Sequence, residues 1–269
     1  MGDVQYSVLS IAESIGSIVF DPIFYLMAMI VTYLYKRQVN QFVCTKDDEQ
    51  YLLHAIQNIC IGVVVGVGMS YGLTCLGVKI VLETNILLLI PVAMVLMMVN
   101  TRFGCFSYVV AVMYMIEGLL ESVTSYHVGM DYGVLIRLVG SLHIIEGILV
   151  MARGGSKSIP TIVYVEDKLV VKKILHQIWL VPIFVNIPGY SMSMPIYAIL
   201  AYNDLANRED VLKQSRWTGL LILVFGVLVC LLADLYQKQA IPLGAVIVMM
   251  PICHEFIFVF SQWQISKAK

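Results

Sequence analysis

Two pairs of histidine and glutamate stand inside apolar runs, where ionisable side chains are rare. "SLHIIEGILVMARGG" (141–155) carries His143 and Glu146 three residues apart, on one face of a helix. "PICHEFIFVF" carries His254 and Glu255 side by side. Imidazole and carboxylate are ligands that zinc accepts, and zinc activates a bound water for hydrolysis. The four residues therefore suggest a metal-dependent intramembrane peptidase.

A structural explanation competes with the metal site. The "HE" pair lacks a second histidine four residues later, so the HExxH motif is absent. Ionisable side chains inside a membrane normally face partners within the helix bundle. We therefore expect a hydrogen bond that joins His254 or Glu255 to His143 or Glu146 across two helices, with no metal and no cofactor.

Three further ionisable residues fall within apolar segments. Glu117 and Glu121 are four residues apart and share a helical face. Arg137, in the next apolar run, is expected to neutralise one of them. With the two His/Glu pairs, these residues form the predicted intramembrane polar cluster.

The composition is that of an integral membrane protein. Hydrophobic residues make up 59% and charged residues 13%, whereas a soluble domain carries about twice as much charge. The net charge of -1 and the lack of a basic tail exclude a nucleic-acid partner. Six scattered cysteines form no CxxC motif and are interpreted as small core residues: Cys44, Cys60, Cys75, Cys105, Cys230 and Cys253.

The apolar runs predict an all-α polytopic fold in a single integral membrane domain, residues 1–269. Residues 5–20 are too short to cross and read as an interfacial or re-entrant helix that ends before Asp21-Pro22. About seven transmembrane helices are predicted, near residues 22–36, 51–77, 86–100, 105–123, 134–152, 218–236 and 243–263.

Two segments between the fifth span and the sixth depart from simple helices. In 153–174, "TIVYV" and "KLVVKK" flank "ED" and predict a small β-hairpin. Residues 175–202 are apolar but interrupted by prolines, which favours a re-entrant helical hairpin, with one kinked span as the alternative. A re-entrant segment would put nearly all the basic loops on one, cytoplasmic, side of the membrane.

Two residue sets are candidates for contacts. Small-xxx-small spacing in the second span predicts close approach of another helix at Gly62, Gly66, Gly68 and Gly72. The basic residues of the two cytoplasmic segments predict a surface for partners or lipid: Lys168, Lys172, Lys173, Arg208, Lys213 and Arg216.

Six stretches occur in a consistent order along nearly the whole chain: "DPIFYLMAMIVTYLYKRQ", "NTRFGCFSY", "LVGSLHIIEGILV", "IPTIVYVEDKLVV", "PIYAILAYNDLANRED" and "PICHEFIFVF". This series resembles the membrane region of the MinJ-like, PDZ-containing membrane proteins of Gram-positive bacteria. The resemblance covers the membrane region only, because the PDZ domain that those relatives carry after the last span is absent from these 269 residues.

The resemblance implies a scaffold or adaptor that positions other proteins at the bacterial cytoplasmic membrane, in cell division or polarity. Its predicted partners are proteins at the cytoplasmic face and membrane lipids, with homo- and hetero-oligomers both open. The alternatives are the metal-dependent intramembrane peptidase and a transporter or channel component, which the broken segment and the intramembrane charges suggest.

Overall fold

A computed structural model describes residues 13, 15–42, 48–75, 84–124, 127–165, 168–186, 194–207 and 210–267. The chain divides into two compact units. The first comprises Met1–Lys79, Val150–Asn186 and Tyr190–Arg216. The second comprises Ile80–Leu149, Ile187–Gly189 and Trp217–Lys269.

The described part of the chain is mostly helical. Its longer α-helices are α1 (Pro22–Phe42), α2 (Asp48–Cys75), α3 (Leu89–Val99), α4 (Phe106–Thr124), α5 (Tyr132–Arg153), α6 (Val211–Gln237) and α7 (Leu243–Lys267). Two 3₁₀ helices flank α3, at Thr84–Leu88 and Thr101–Gly104. The strands are β1 (Ile159–Val165), β2 (Lys168–Val185) and β3 (Met194–Asn207).

Within the described residues, five helices are long and apolar enough to cross a membrane: Leu52–Leu73 of α2, and α4, α5, α6 and Leu243–Ser261 of α7. This is consistent with a membrane protein, but the predicted count of about seven is not confirmed. The run near 86–100 is divided between a 3₁₀ helix and the 11-residue α3, which is too short to span. The other predicted span, 22–36, is part of α1, which turns polar at Lys36-Arg37.

The predicted break at Asp21-Pro22 is present. Helical structure covers residues 15–19 and resumes at Pro22. The Asp21 carboxylate accepts the Ile23 backbone N–H at 2.9 Å, and proline suits the first helical position because its missing N–H is not needed there. Residues 5–12 of the predicted N-terminal helix lie outside the described residues.

The strands form an antiparallel sheet in the order β1-β2-β3. The predicted hairpin is present as β1 and the start of β2, with Val165 opposite Lys168. The re-entrant helical hairpin predicted at 175–202 is wrong, because this segment forms the rest of β2 and most of β3. A short continuous apolar run fits a buried strand as well as a buried helix, so periodicity could not separate the two.

The strand pairing brings the two basic segments together. Lys172 lies opposite Asn207 and Ile174 lies opposite Leu205. The segments 153–174 and 203–217 are therefore neighbours in the sheet, and strands rather than helices return the chain. Their cytoplasmic location stays a prediction.

Side chains from α1 and α2 cover the edge of β2 beyond the end of β1. The Tyr35 hydroxyl accepts the backbone N–H of Ile178 at 2.7 Å, and the Ser70 hydroxyl accepts that of Phe184 at 3.0 Å. Between them on this edge, Pro182 has no N–H to satisfy. The edge is thus protected from pairing with another strand.

The glycines of α2 make this coverage sterically feasible. A Cβ at Gly62 would collide with the backbone carbonyl of Leu180, and one at Gly66 would collide with that of Pro182. Gly68 and Gly72 have open space at this position. The predicted helical partner is therefore wrong for the first two glycines, because their spacing reports a close approach and does not specify what approaches.

A buried polar network joins α1, α2 and β2 in the first unit. The side-chain oxygen of Gln177 lies 3.0 Å from His54 Nε2 and 2.7 Å from Asn58 Nδ2. The Gln177 amide nitrogen donates to the Ser156 carbonyl at 2.6 Å. One glutamine side chain therefore links two helical residues to the turn before β1.

In the second unit, α5 and α6 pack through glycines. A Cβ at Gly140 would lie 2.8 Å from the Gly226 carbonyl oxygen, and one at Gly147 would lie 2.7 Å from that of Gly219. The two glycines on each helix are seven residues apart. This repeated spacing could have predicted the packing of α5 against α6 from the sequence. The close approach also fixes the position of α5, which carries His143.

Candidate metal centre

Cys105 is the residue between a 3₁₀ turn and helix α4. The 3₁₀ turn Thr101–Gly104 ends immediately before it, and α4 begins immediately after it. The backbone N–H groups of Tyr108 and Val109 donate to the Cys105 carbonyl at 2.9 and 3.2 Å. The partly buried thiol is thereby placed at the N-terminal end of α4.

His143 points one ring nitrogen at this thiol. Its side chain is 3% exposed. Nδ1 lies 2.8 Å from the Val139 carbonyl oxygen, which can only accept, so Nδ1 carries the proton. In the neutral imidazole Nε2 then has a free lone pair, and it lies 3.3 Å from Cys105 Sγ.

His254 is oriented in a similar way by side chains. Tyr108 donates its hydroxyl proton to Glu255 Oε1 at 2.6 Å. Its oxygen lies 3.0 Å from His254 Nδ1 and can only accept there, so Nδ1 donates. Glu255 also pairs with Arg102 at 3.4 Å. The neutral imidazole of His254, 8% exposed, therefore also has its lone pair on Nε2.

The three side chains converge. Cys105, His143 and His254 each offer a ligand atom, and these atoms all lie within 4.8 Å of one another. Donors on one metal ion are about 3.3–3.8 Å apart when the bonds are those of zinc, so a small contraction would close the set. The two imidazoles meet edge to face with centroids 5.4 Å apart, and the Phe225 ring packs against both.

The expected His–Glu bond between helices is replaced by other contacts. The ring nitrogens of His143 contact Val139 and Cys105, and Glu255 contacts Tyr108 and Arg102. Adjacent helical side chains diverge by about 100°, so His254 turns toward α5 while Glu255 turns toward the start of α4. Glu146 lies outside the converging donor set.

The acidic residues of α4 also have other partners than expected. Glu117 accepts the Tyr132 hydroxyl at 2.5 Å and the Gly129 N–H at 2.9 Å. Glu121 contacts His127 in the loop between α4 and α5. Glu117, Glu121 and His127 could together approach a cation, but the His127 side chain is 70% exposed.

Arg137 does not neutralise either glutamate. It pairs with Asp234 and donates to the Gln237 side-chain oxygen at 2.8 Å, both on α6. The prediction failed because α5 presents Arg137 to α6. Spacing along one helix does not reveal which neighbour a side chain faces.

The predicted basic surface is only partly described. Lys172 and Lys173 are half-buried on β2, and Lys213 and Arg216 are exposed at the start of α6. The Lys168 side chain and Arg208 lie outside the described residues. This surface stays a prediction.

Comparisons with protein-family models, with curated proteins and with solved structures found no match. The resemblance to MinJ-like proteins therefore stays a prediction. The sequence identified both histidines of the centre but missed Cys105 and Tyr108. The signal was "NTRFGCFSY", where Gly104 and the polar residues before it interrupt two apolar runs.

Proposed function

We propose that this chain is a membrane protein that holds a transition-metal ion between α4, α5 and α7. The observation that carries the proposal is the convergence of the Cys105 thiol with the ring nitrogens of two buried imidazoles. Both imidazoles donate their other nitrogen to a fixed acceptor, Val139 or Tyr108. Such outer bonds hold ligating histidines in the correct tautomer and orientation.

The ligand types suit the proposed ion. Thiolate and imidazole favour soft and borderline transition metals over magnesium or calcium. The thiolate is the form that binds metal, and the N-terminus of α4 favours a negative charge at Cys105. This proposal departs from the expectation of a cofactor-free His–Glu link.

Three protein ligands leave room for a substrate or a water on the metal, as catalytic zinc sites do. The peptidase hypothesis would assign the general base to Glu146, one helical turn from His143. The geometry favours metal binding as such, and proteolysis is a further step that needs its own assay.

Metal content tests the proposal. The protein purified in detergent should carry about one equivalent of metal by mass spectrometry, and His143→Gln, His254→Gln and Cys105→Ser should each lower metal affinity about 10–100-fold. His127→Gln and Cys253→Ser are matched controls in the same unit and should retain the metal. Wild-type protein that binds no zinc, copper or other transition ion after reloading would refute the proposal.

A second candidate function is the adaptor implied by the resemblance, and the β1–β2 hairpin favours it. Along β2, Phe184, Pro182 and Leu180 lie beside successive turns of α2, and Gln177 lies beside His54, near the first residue of the apolar span. Lys172 is five residues further back, about 17 Å of strand. The hairpin therefore extends beyond that end of the span.

The hairpin surface combines apolar and basic groups. Ile162, Tyr164 and Leu169 are 67%, 68% and 73% exposed, and Tyr164 lies opposite Leu169 in the register. Exposed apolar patches rimmed by polar residues mark interaction sites. Lys172 and Lys173 lie on the adjoining part of β2.

Crosslinking in native membranes tests the adaptor. A photoreactive residue at 164 should capture a protein partner, and the same residue at 238, an exposed position in the turn after α6, should not. Glu at positions 168, 172 and 173 should weaken capture, partly because each lost basic residue removes about 1 kcal/mol of attraction to anionic lipid. Equal capture from both positions, or unchanged capture by the triple variant, would eliminate this surface.

A further inference from the structure

We infer that the ion held by Cys105, His143 and His254 is cuprous, Cu(I). The inference rests on the proposed function, because it specifies the ion for the same three ligands. Its basis is the donor set, the net charge of the site and the surroundings of the imidazoles.

The donor set is soft and three-fold. One sulfur and two imidazole nitrogens converge, and among the described residues no carboxylate joins them. Thiolate selects Cu(I) and zinc among the common ions, and a trigonal arrangement of two histidines and a cysteine is typical of copper. Structural zinc almost always has four ligands, and catalytic zinc adds a water to three.

The charge of the site favours a monovalent ion. His143 and His254 donate from Nδ1, and an imidazole that binds a metal through its other nitrogen is neutral. A thiolate and a cuprous ion then sum to zero, whereas a divalent ion leaves one positive charge. Glu255 is already paired with Arg102, so it does not compensate that charge. An unpaired charge inside a membrane segment is costly, and a neutral site avoids this cost.

Glu146 is the residue whose carboxylate could neutralise the extra positive charge of a divalent ion. It lies one turn from His143 on α5, outside the donor set. An ionised Glu146 would balance a divalent ion from a distance, whereas a cuprous site gains nothing from it. Glu146→Gln therefore separates the two charge states.

The surroundings of the donors suit an ion that binds no water. The buried Phe225 ring lies against His143 and His254, with centroid distances of 4.9 and 5.5 Å. The imidazoles also contact each other edge to face. Cu(I) can be satisfied by three soft ligands, while zinc needs a further ligand at this apolar wall.

The test loads the full-length protein in detergent with Cu(I), from a chromophoric chelator without oxygen, and separately with Zn²⁺. X-ray absorption of the copper form should show one sulfur and two nitrogen ligands and no oxygen. Cys105→Ser should weaken Cu(I) binding about 100-fold, and the control Cys253→Ser should not weaken it. Glu146→Gln should leave Cu(I) affinity within about two-fold, because no charge needs balancing.

The outcomes separate the two proposals. Zinc bound with an oxygen as fourth ligand, together with Cu(I) binding that Cys105→Ser does not weaken, would overturn the cuprous inference and leave the metal centre standing. A ten-fold loss of Cu(I) affinity in Glu146→Gln would also overturn the inference. Failure of both ions to bind would remove the inference together with the proposed function.

Discussion

Each of the two units buries a histidine among polar side chains, but the two arrangements differ in where the lone pairs point. In the first unit, His54 and Asn58 both direct nitrogen donors at one acceptor, the Gln177 side-chain oxygen. In the second, His143 and His254 each donate from Nδ1 to a fixed acceptor, and each has a ring nitrogen within 4.8 Å of Cys105 Sγ. The first arrangement is a hydrogen-bond network within the protein, and the second suits a metal ion between the ligands.

The comparison shows that histidine burial alone does not distinguish structural polar groups from a binding site. The convergence of several ligand atoms distinguishes the two, and the partner of one ring nitrogen sets the tautomer of each histidine. Among the described residues, His54 Nδ1 has no partner within this network, whereas His143 and His254 each contribute one atom to a set of three converging ligand atoms. The contrast can be tested by substitutions that disturb one region and leave the other intact.

The largest effect is expected from loss of the shared acceptor. Gln177→Leu strands the donors of His54 and Asn58 in the core, and each unsatisfied buried donor costs about 1–3 kcal/mol. We expect a loss of about 3–5 kcal/mol in the free energy of unfolding, measured in mixed micelles by the fluorescence of Trp179, which is fully buried in the same unit. Gln214→Leu, on the half-buried start of α6, should cost less than about 1 kcal/mol. Comparable losses in both variants would show that Gln177 is not a hub.

Metal should stabilise the second unit selectively. A ligand at 100 times its dissociation constant adds about 2.7 kcal/mol to the stability of the state that binds it. We expect this gain in unfolding of the wild-type protein and of Gln177→Leu, but only about 0.4–1.4 kcal/mol in His143→Gln, whose metal affinity is about 10–100-fold lower. Stabilisation of His143→Gln equal to that of the wild type would place the metal elsewhere.

Acid should weaken the first unit. Burial, followed by the nearby charge of His54, lowers the pKa of His176 to about 4. The pKa of a free histidine is about 6.5, so between pH 6.5 and pH 4 the unfolded chain binds more protons than the folded chain. The free energy of unfolding therefore decreases as the pH falls from about 6.5 to about 4. Between pH 7.5 and pH 5 this contributes about 2 kcal/mol. His176→Gln should lose less stability than the wild type over the same range, and an unchanged pH profile would contradict the assignment.

The smallest effect is expected at the exposed loop of the second unit. A hydrogen bond that His127 donates to the Glu121 carboxylate raises the pKa of His127. The pair therefore contributes below the unfolded pKa and is lost as pH rises through the folded one. Glu121→Gln should lower the pKa of His127 in a nuclear magnetic resonance titration while leaving global stability unchanged. A pKa that stays in place would show that another group raises it.

Several features were predictable from the sequence because they depend on local pattern. Long apolar runs indicated helices such as α5 and α6 wherever they exceeded the membrane thickness. The Asp21-Pro22 boundary followed from backbone sterics. The first hairpin followed from β-branched residues on both sides of "ED".

Other features depended on contacts between segments distant in the chain. The continuous apolar run of β2 suits a buried helix and a buried strand equally, and only pairing with β3 decided between them. The spacing of Gly62 and Gly66 predicted close packing against another helix, but these glycines pack against the edge of β2. Arg137 found its partner on α6 because helix orientation determines which charges meet.

The candidate metal centre illustrates the same division. The sequence alone showed that His143 and His254 lie in apolar runs, where a polar side chain requires a partner. It did not show that Cys105 would complete the set, because a lone cysteine in an apolar run resembles any small core residue. Only the tertiary structure placed the start of α4 against α5 and α7 and fixed the two tautomers through Val139 and Tyr108. Ligand convergence is a property of three helices packed together, and no single helix encodes it.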